Sequence, residues 1–227
     1  MAEKIAFVFP GQGAQYVGMG RDIAQDFSVA RDTFHMASEV LGFDVLKLCQ
    51  EGPEEQLIKT EITQPAILTV SIAFLNVLRE LGMTCHMTAG LSLGEYTALV
   101  CANALDFKDA VGLVNKRGRF MQEAVPEGEG TMAAIIGLDA PSIQECCREA
   151  RVKGIVEVAN YNCPGQIVIA GQVKAVEYTC QLVKQRGAKR TVMLQVSAPF
   201  HTSMLKSAGD RLARELAKVE IRDMDIS

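Results

Sequence analysis

Five consecutive apolar residues at 5–9, closed by Pro10 and Gly11, predict a buried parallel strand that opens into a loop. Apolar positions then recur at helical spacing over about 29–41 and about 65–81, and the second run stops at Gly82, a residue suited to ending a helix. Residues 86–91 form the next candidate strand, and 95–105 and 107–121 read as two further helices. Strands and helices thus alternate through the first half of the chain, the pattern of a parallel α/β sheet.

From about Gly130 the rhythm shortens. A strand at 132–136, a helix at 141–150, strands at 155–160 and 167–170, a helix at 173–186 and a strand at 191–196 follow in the order βαββαβ, a ferredoxin-like pattern. The stretch PEGEG at 126–130 marks a boundary, so the expected organisation is a large α/β domain over 1–128 and 198–227 with a ferredoxin-like subdomain inserted at 129–197. A helix at 203–218 returns the chain to the large domain. The closing VEIRDMDIS leads toward another element, and the C-terminal part of that domain is expected to be missing. Neither a sequence repeat nor a low-complexity segment is visible.

Composition narrows the functional classes. With 227 residues and 48% hydrophobic content the chain can bury a full core. A net charge of -4 offers no basic excess of the kind nucleic-acid binders need, so no nucleic-acid partner is expected. Lys4 precedes only a short apolar run, which does not make a secretory signal, and no apolar stretch reads as long enough to span a bilayer, so a cytoplasmic protein with no membrane partner is expected. The seven cysteines form no C-x-x-C pair, so neither a disulfide framework nor a metal site is indicated. Cys101 and Cys180 fall inside helical patterns and read as small core residues rather than reactive thiols.

The strongest local signal for chemistry is the G-x-S-x-G segment at 90–94, set between a predicted strand and a predicted helix. A nucleophile elbow needs glycine on both sides because backbones pass closely there, and it presents the central serine, Ser92, at a helix N-terminus where the Leu93 N–H faces a developing oxyanion. A serine hydroxyl needs a base, and only three histidines are available. His35 sits in an amphipathic helix and His86 begins a strand on the far side of the elbow; both read as structural. His201, in the loop containing Ser197, Ala198, Pro199 and Phe200, follows a strand and precedes a helix, and it is the candidate base.

Arg117 falls in the middle of the apolar stripe formed by Phe107, Ala110, Leu113, Val114 and Met121. A guanidinium there either pairs with a buried carboxylate or stands ready for bidentate binding of a substrate carboxylate, and the residue pattern leaves both readings open. The loop at 10–15 is no dinucleotide fingerprint, because position 16 is Tyr rather than Gly. Its glycines instead let the backbone approach the elbow, with the Gln12 N–H as a second oxyanion donor.

In order, FPGQGAQ (9–15), GLSLGE (90–95), KRGRFMQEAVP (116–126), NYNCPGQIVIAG (160–171) and APFH (198–201) resemble the malonyl-CoA:acyl carrier protein transacylase family, including the acyltransferase domains of polyketide synthases. The resemblance implies an α/β-hydrolase-like large domain with a ferredoxin-like insert. It implies Ser92 as the acylated nucleophile, His201 as general base and acid, Arg117 as clamp for the malonyl carboxylate, and Gln12 with Leu93 as oxyanion hole. It also places Asn160 and Asn162 along a cleft near His201 and makes Phe200 the residue that disfavours a branched methylmalonyl group. A backbone carbonyl beyond residue 227 would orient the histidine in place of a triad acid.

The expected reaction is a ping-pong transfer from malonyl-CoA, through a Ser92 ester, to the phosphopantetheine thiol of an acyl carrier protein, with no tightly bound cofactor, by a monomer. Lys184, Arg186, Lys189 and Arg190 cluster around one predicted turn and form either a docking patch for an acidic carrier protein or an ordinary solvated face. Two other readings are carried: a serine hydrolase or thioesterase, which shares the elbow, and an incomplete, non-catalytic carrier-binding protein.

Overall fold

The computed structural model describes residues 4–194, 196 and 198–227. The chain forms two compact units, Met1–Arg119 with Leu212–Ser227, and Phe120–Arg211.

The first unit contains β1 (Ala6–Phe9), α1 (Arg21–Asp26), α2 (Ser28–Leu41), α3 (Val45–Glu51), α4 (Glu54–Leu57), α5 (Thr60–Glu80), β2 (Met87–Gly90), α6 (Leu93–Cys101) and most of α7 (Phe107–Ala124). β1 and β2 pair in parallel, with Ala6 opposite Met87 and Phe9 opposite Gly90. The expected fully buried strand is buried on one face only. Phe9 is buried and Phe7 packs on the core, whereas Val8, between them, is 74% exposed. Successive strand residues point to opposite faces, and α6 packs against both strands. After α10 (Lys206–Leu216) the chain forms no further regular element. It runs back along this unit instead: the Arg222 and Asp225 N–H groups donate to the carbonyls of Ala104 and Ala102, and the Thr88 N–H donates to the Ser227 carbonyl at 2.7 Å.

α5 is the central core helix, lined with Ala66, Ile67, Leu68, Ile72, Ala73 and Leu75, and it lies against α2 and α6. By length and composition it would suffice to cross a membrane, which corrects the expectation that no apolar stretch is long enough, but 67% of its apolar window is buried inside the protein. It also starts five residues earlier than Pro65, the predicted first turn. A proline inside a helix leaves the carbonyl four residues back without its amide partner. That carbonyl, Glu61's, accepts from the Asn115 side-chain amide of α7 at 2.9 Å. A Cβ on Gly118 would lie 2.5 Å from the Thr60 carbonyl oxygen, so the missing side chain lets α7 press directly on the first turn of α5. α1, α3 and α4 were absent from the sequence expectation because elements of six, seven and four residues are too short to display a period. α6 stops at Cys101 rather than at 105 because Asn103 turns into the left-handed region, φ 60°.

The second unit runs β3 (Gly130–Ile136), α8 (Ala140–Ala150), β4 (Val156–Cys163), β5 (Gln166–Gln172), α9 (Val173–Gln185) and β6 (Arg190–Leu194), followed by a 3-10 turn at Ser203–Leu205 and the start of α10. The sheet order is β4-β5-β3-β6 and every pairing is antiparallel. Ala133 and Ile135 of β3 pair with Ile169 and Ile167 of β5, and these four side chains share a core with Ile143, Cys146, Val176 and Val183 of α8 and α9. β6 is described over Arg190–Leu194 and Val196 is not in a strand; Gln195 and Ser197, within or beside the predicted 191–196 strand, lie outside the described residues.

The units divide at 119/120 and 211/212, within α7 and α10, rather than at the expected 128/129 and 197/198. The reason is visible in the second unit. The Arg211 guanidinium stacks 3.9 Å from the centroid of the Phe120 ring and bonds Glu123 at 2.6 Å, which ties the last turns of α7 to α10. The PEGEG stretch leads into β3.

Asn115→Ala is expected to cost about 1–3 kcal/mol, the penalty for stranding a buried carbonyl. In a Pro65→Ala background residue 65 regains its N–H and the same change should cost distinctly less. Urea unfolding of the four proteins measures the difference, and equal costs in both backgrounds would remove Pro65 from the explanation.

Candidate active site

Ser92 sits at the junction of β2 and α6 with φ 54° and ψ −100°, a conformation L-residues seldom adopt and one that surrounding structure has to enforce. Three glycines make the enforcement possible. A Cβ on Gly90 would lie 2.0 Å from the Gly94 carbonyl carbon, one on Gly94 would lie 2.3 Å from the Phe9 carbonyl oxygen, and one on Gly11 would lie 2.8 Å from the Leu91 carbonyl oxygen. The β1 loop, the end of β2 and the start of α6 therefore touch backbone to backbone. These contacts bring the 10–12 loop, and with it Gln12, beside the elbow. The Gln12 side-chain amide reaches Thr60 Oγ1 at 3.4 Å.

Leu93, the first residue of α6, has its side chain fully buried, and its N–H belongs to the helix's first turn, where amides have no intrahelical acceptor. Ser92 itself makes no side-chain cap to the helix. Its Oγ instead accepts a hydrogen bond from Arg117 Nη2 at 2.9 Å, while Arg117 Nη1 donates to Gln64 Oε1 at 2.8 Å. Of the two readings left open for Arg117, a pair with a buried carboxylate does not form among the described residues: its guanidinium donates to an amide oxygen and the serine hydroxyl. The guanidinium is 8% exposed and lies 5.8 Å from the centroid of the Tyr96 ring. Burial pulls its pKa down, with Tyr96 and then Glu95 opposing that shift, and burial likewise pushes the Tyr96 hydroxyl up. A guanidinium stays protonated throughout, so Ser92 Oγ has a cation within hydrogen-bond distance that lowers the cost of negative charge there.

Sequence reasoning missed Gln64 and Tyr96. Gln64 is 1% exposed and lies four residues before Leu68 on the buried stripe of α5, but with the helix expected to begin at Pro65 it fell outside the pattern. Tyr96 belongs to α6, where a half-buried aromatic carries no signal of a nearby cation.

His201 belongs to the second unit, Ser92 to the first. His201 is exposed and is itself left-handed, φ 60°. It follows buried Ala198, Pro199 and Phe200, and precedes buried Thr202, whose Oγ1 donates to the Pro199 carbonyl at 2.8 Å. Asn160 and Asn162 stand on β4, Asn160 half-buried opposite Val168 and Asn162 exposed beside a register irregularity. Of the other histidines, His86 accepts the Ile5 N–H through Nδ1 at 3.1 Å, joining the ends of β1 and β2, and His35 is on the exposed side of α2. His86 thus ties two strand ends together, as a structural residue would.

The basic cluster around the turn from α9 to β6 is less open than expected. Arg186 is engaged by Glu145, at 2.7 Å, and by Glu149, both on α8. Lys184, Lys189 and Arg190 are exposed. The seven cysteines are free thiols. Burial pushes Cys49 and Cys147 up to about 12 and Cys101 up to about 11, far from the range of a reactive thiolate.

Comparison with known proteins is unambiguous about ancestry. Residues 6–227 match the model of the acyl transferase domain. The chain is 54% identical over 217 residues to the malonyl CoA-acyl carrier protein transacylase of Escherichia coli K12, covering 95% of this chain and 70% of that protein. It is 49% identical to the transacylase of the same name from Bacillus subtilis 168, covering 98% and 71%. Among solved structures, an acyl carrier protein S-malonyltransferase from Vibrio cholerae superposes with a TM-score of 0.95 at 49% identity, over 99% of this chain and 74% of that one. The malonyl-transacylase solved in complex with its type II PKS acyl-carrier protein superposes at 0.96 and 49%, over 99% and 73%. A parallel-stranded α/β fold, a strained serine elbow and this degree of identity lead to one conclusion: the chain belongs to the acyl transferase domain family.

Proposed function

We propose that the chain is a malonyl-CoA:acyl carrier protein S-malonyltransferase that works through a Ser92 acyl-enzyme. The observation that carries this reading is the buried Arg117 guanidinium hydrogen-bonded to the hydroxyl of a serine held in a nucleophile elbow. A hydrolase of neutral esters has no use for a desolvated cation at its nucleophile; an enzyme for acyl groups ending in a carboxylate does.

In the first half-reaction Ser92 Oγ attacks the thioester carbonyl and gives its proton to His201. The oxyanion is held by the Leu93 and Gln12 N–H groups, and collapse expels coenzyme A as a thiol that takes the proton back. The malonyl carboxylate rests on Arg117, with Gln64 and Tyr96 holding the guanidinium in place. In the second half-reaction the phosphopantetheine thiol of the carrier protein attacks the Ser92 ester, His201 again taking and returning the proton. Asn160 and Asn162 line the path to His201, and Phe200 narrows it against methylmalonyl.

Within this reading the first unit is the α/β-hydrolase-like domain and the second, with its βαββαβ order, the ferredoxin-like one. The free cysteines suit a cytoplasmic protein, and the reaction takes malonyl-CoA as substrate, with the chain acting as a monomer without a tightly bound cofactor. Carrier-protein docking rests on Lys184, Lys189 and Arg190, since Arg186 is committed to Glu145 and Glu149.

Mixing the protein with malonyl-CoA should add one malonyl group by intact mass, and Ser92→Ala should add none; a modified S92A protein would sink the assignment. The ester should persist in water until carrier protein is supplied, whereas its rapid loss would favour a hydrolase. Arg117→Ala should lower kcat/KM for malonyl-CoA roughly a hundredfold, equivalent to about 3 kcal/mol for a charged hydrogen-bonded pair, and abolish the preference over acetyl-CoA. Retained preference would assign the carboxylate to another residue. Reversing the charges of Lys184, Lys189 and Arg190 together should slow transfer to carrier protein and spare Ser92 acylation; equal damage to both steps would reject the patch.

A further inference from the structure

His201 is held in a left-handed conformation although it carries a side chain. Such a residue relaxes unless the chain on both sides is fixed. The upstream side is fixed by packing: a Cβ on Gly130 would lie 2.4 Å from the Pro199 ring, so the ring rests on the first residue of β3; Thr202 Oγ1, just downstream, closes across His201 onto the Pro199 carbonyl at 2.8 Å. On the downstream side Ser203 is exposed between the buried residues Thr202 and Leu205. There the chain is taken up by one carboxylate. Glu157 Oε2 accepts the Ser203 N–H at 2.7 Å and Glu157 Oε1 accepts the Ser203 hydroxyl at 2.8 Å.

We propose that Glu157, through its two hydrogen bonds to Ser203, is a positioning residue that sets the His201 imidazole for proton transfer. Glu157 stands on β4, in register with Ala170 of β5, so it is anchored in the sheet while Ser203 opens the 3-10 turn that leads into α10. A negative group at the start of a helical segment is favourable in its own right, and a bidentate grip on Ser203 restrains both translation and twist of the chain, with one residue between it and His201. Glu157 and Ser203 border a cavity of about 480 Å³ with Arg151, Gly154 and Gln172, so the grip is reached by water and would loosen readily if one of its arms were lost. The inference rests on His201 being the base.

The test compares Glu157→Ala, Glu157→Gln and His201→Ala in the intact chain. E157A should slow Ser92 acylation by malonyl-CoA roughly tenfold to a hundredfold, the scale of a small misplacement of a catalytic group, with the half-saturating malonyl-CoA concentration unchanged. E157Q should restore most of the rate, because its amide oxygen can accept the Ser203 N–H and its amide N–H can donate to the Ser203 hydroxyl. Hydrogen exchange at the Ser203 amide should quicken in E157A and not in E157Q. If E157A does not fold, Ser203→Ala, which removes the hydroxyl arm alone, should show a smaller loss of the same kind. A normal acylation rate in folded E157A, or an E157Q as slow as E157A, overturns the role of Glu157. A fully active H201A overturns the base assignment instead, and an inactive H201A beside a fully active E157A overturns only the positioning role.

Discussion

Where β1, β2 and α6 meet, main chain has to rest on main chain. The Gly94 Cα lies so near the Phe9 carbonyl, and Gly90 so near Gly94, that any side chain would intrude on backbone atoms that cannot move without unpairing the sheet. This contact is what keeps Ser92 at φ 54° at the junction of β2 and the first residue of α6. The strain is small in energy beside the core that surrounds it, and it persists because that core leaves the elbow no alternative path.

The second element of the site is a charge brought into the protein. Burying a guanidinium is costly unless its donors find acceptors, and here Gln64 of α5 and Ser92 before α6 each accept one hydrogen bond. Gly118 lets α7 lie on the first turn of α5, Asn115 supplies the donor that Pro65 withholds from Glu61, and between them Arg117 faces Gln64 and Ser92. One helix contact therefore solves a backbone problem created by a proline and a solvation problem created by an arginine. The Tyr96 ring adds a polarisable wall at 5.8 Å.

The second unit treats His201 in a different manner. Its antiparallel sheet and two helices form an ordinary apolar core, and the His201 loop is attached at the rim through Pro199 on Gly130 and Ser203 on Glu157. Strain is again present, at φ 60°, but it is held partly by hydrogen bonds open to water rather than by buried contacts alone.

Much of this was readable in one dimension. The period of the apolar residues located the longer helices, and glycine at 90 and 94 around Ser92 announced a turn that only glycine can make, because those signals depend on local sterics alone. The βαββαβ order was likewise carried by short runs with clear punctuation. What could not be read were facts that require two distant segments to be in place together. The first turn of α5 exists because Asn115, far along the chain, replaces a missing amide; Val8 is exposed because only one face of the β1–β2 pair is covered by α6; and the unit boundaries fall inside helices because Arg211 reaches back to Phe120 and Glu123. Arg117 shows the division most plainly: its place on an apolar stripe was legible, while its partners, Gln64 and Ser92, were decided only by the packing of α7 on α5 and of α6 beside them, since a side chain's hydrogen bonds are settled by what the tertiary fold brings within about 3 Å.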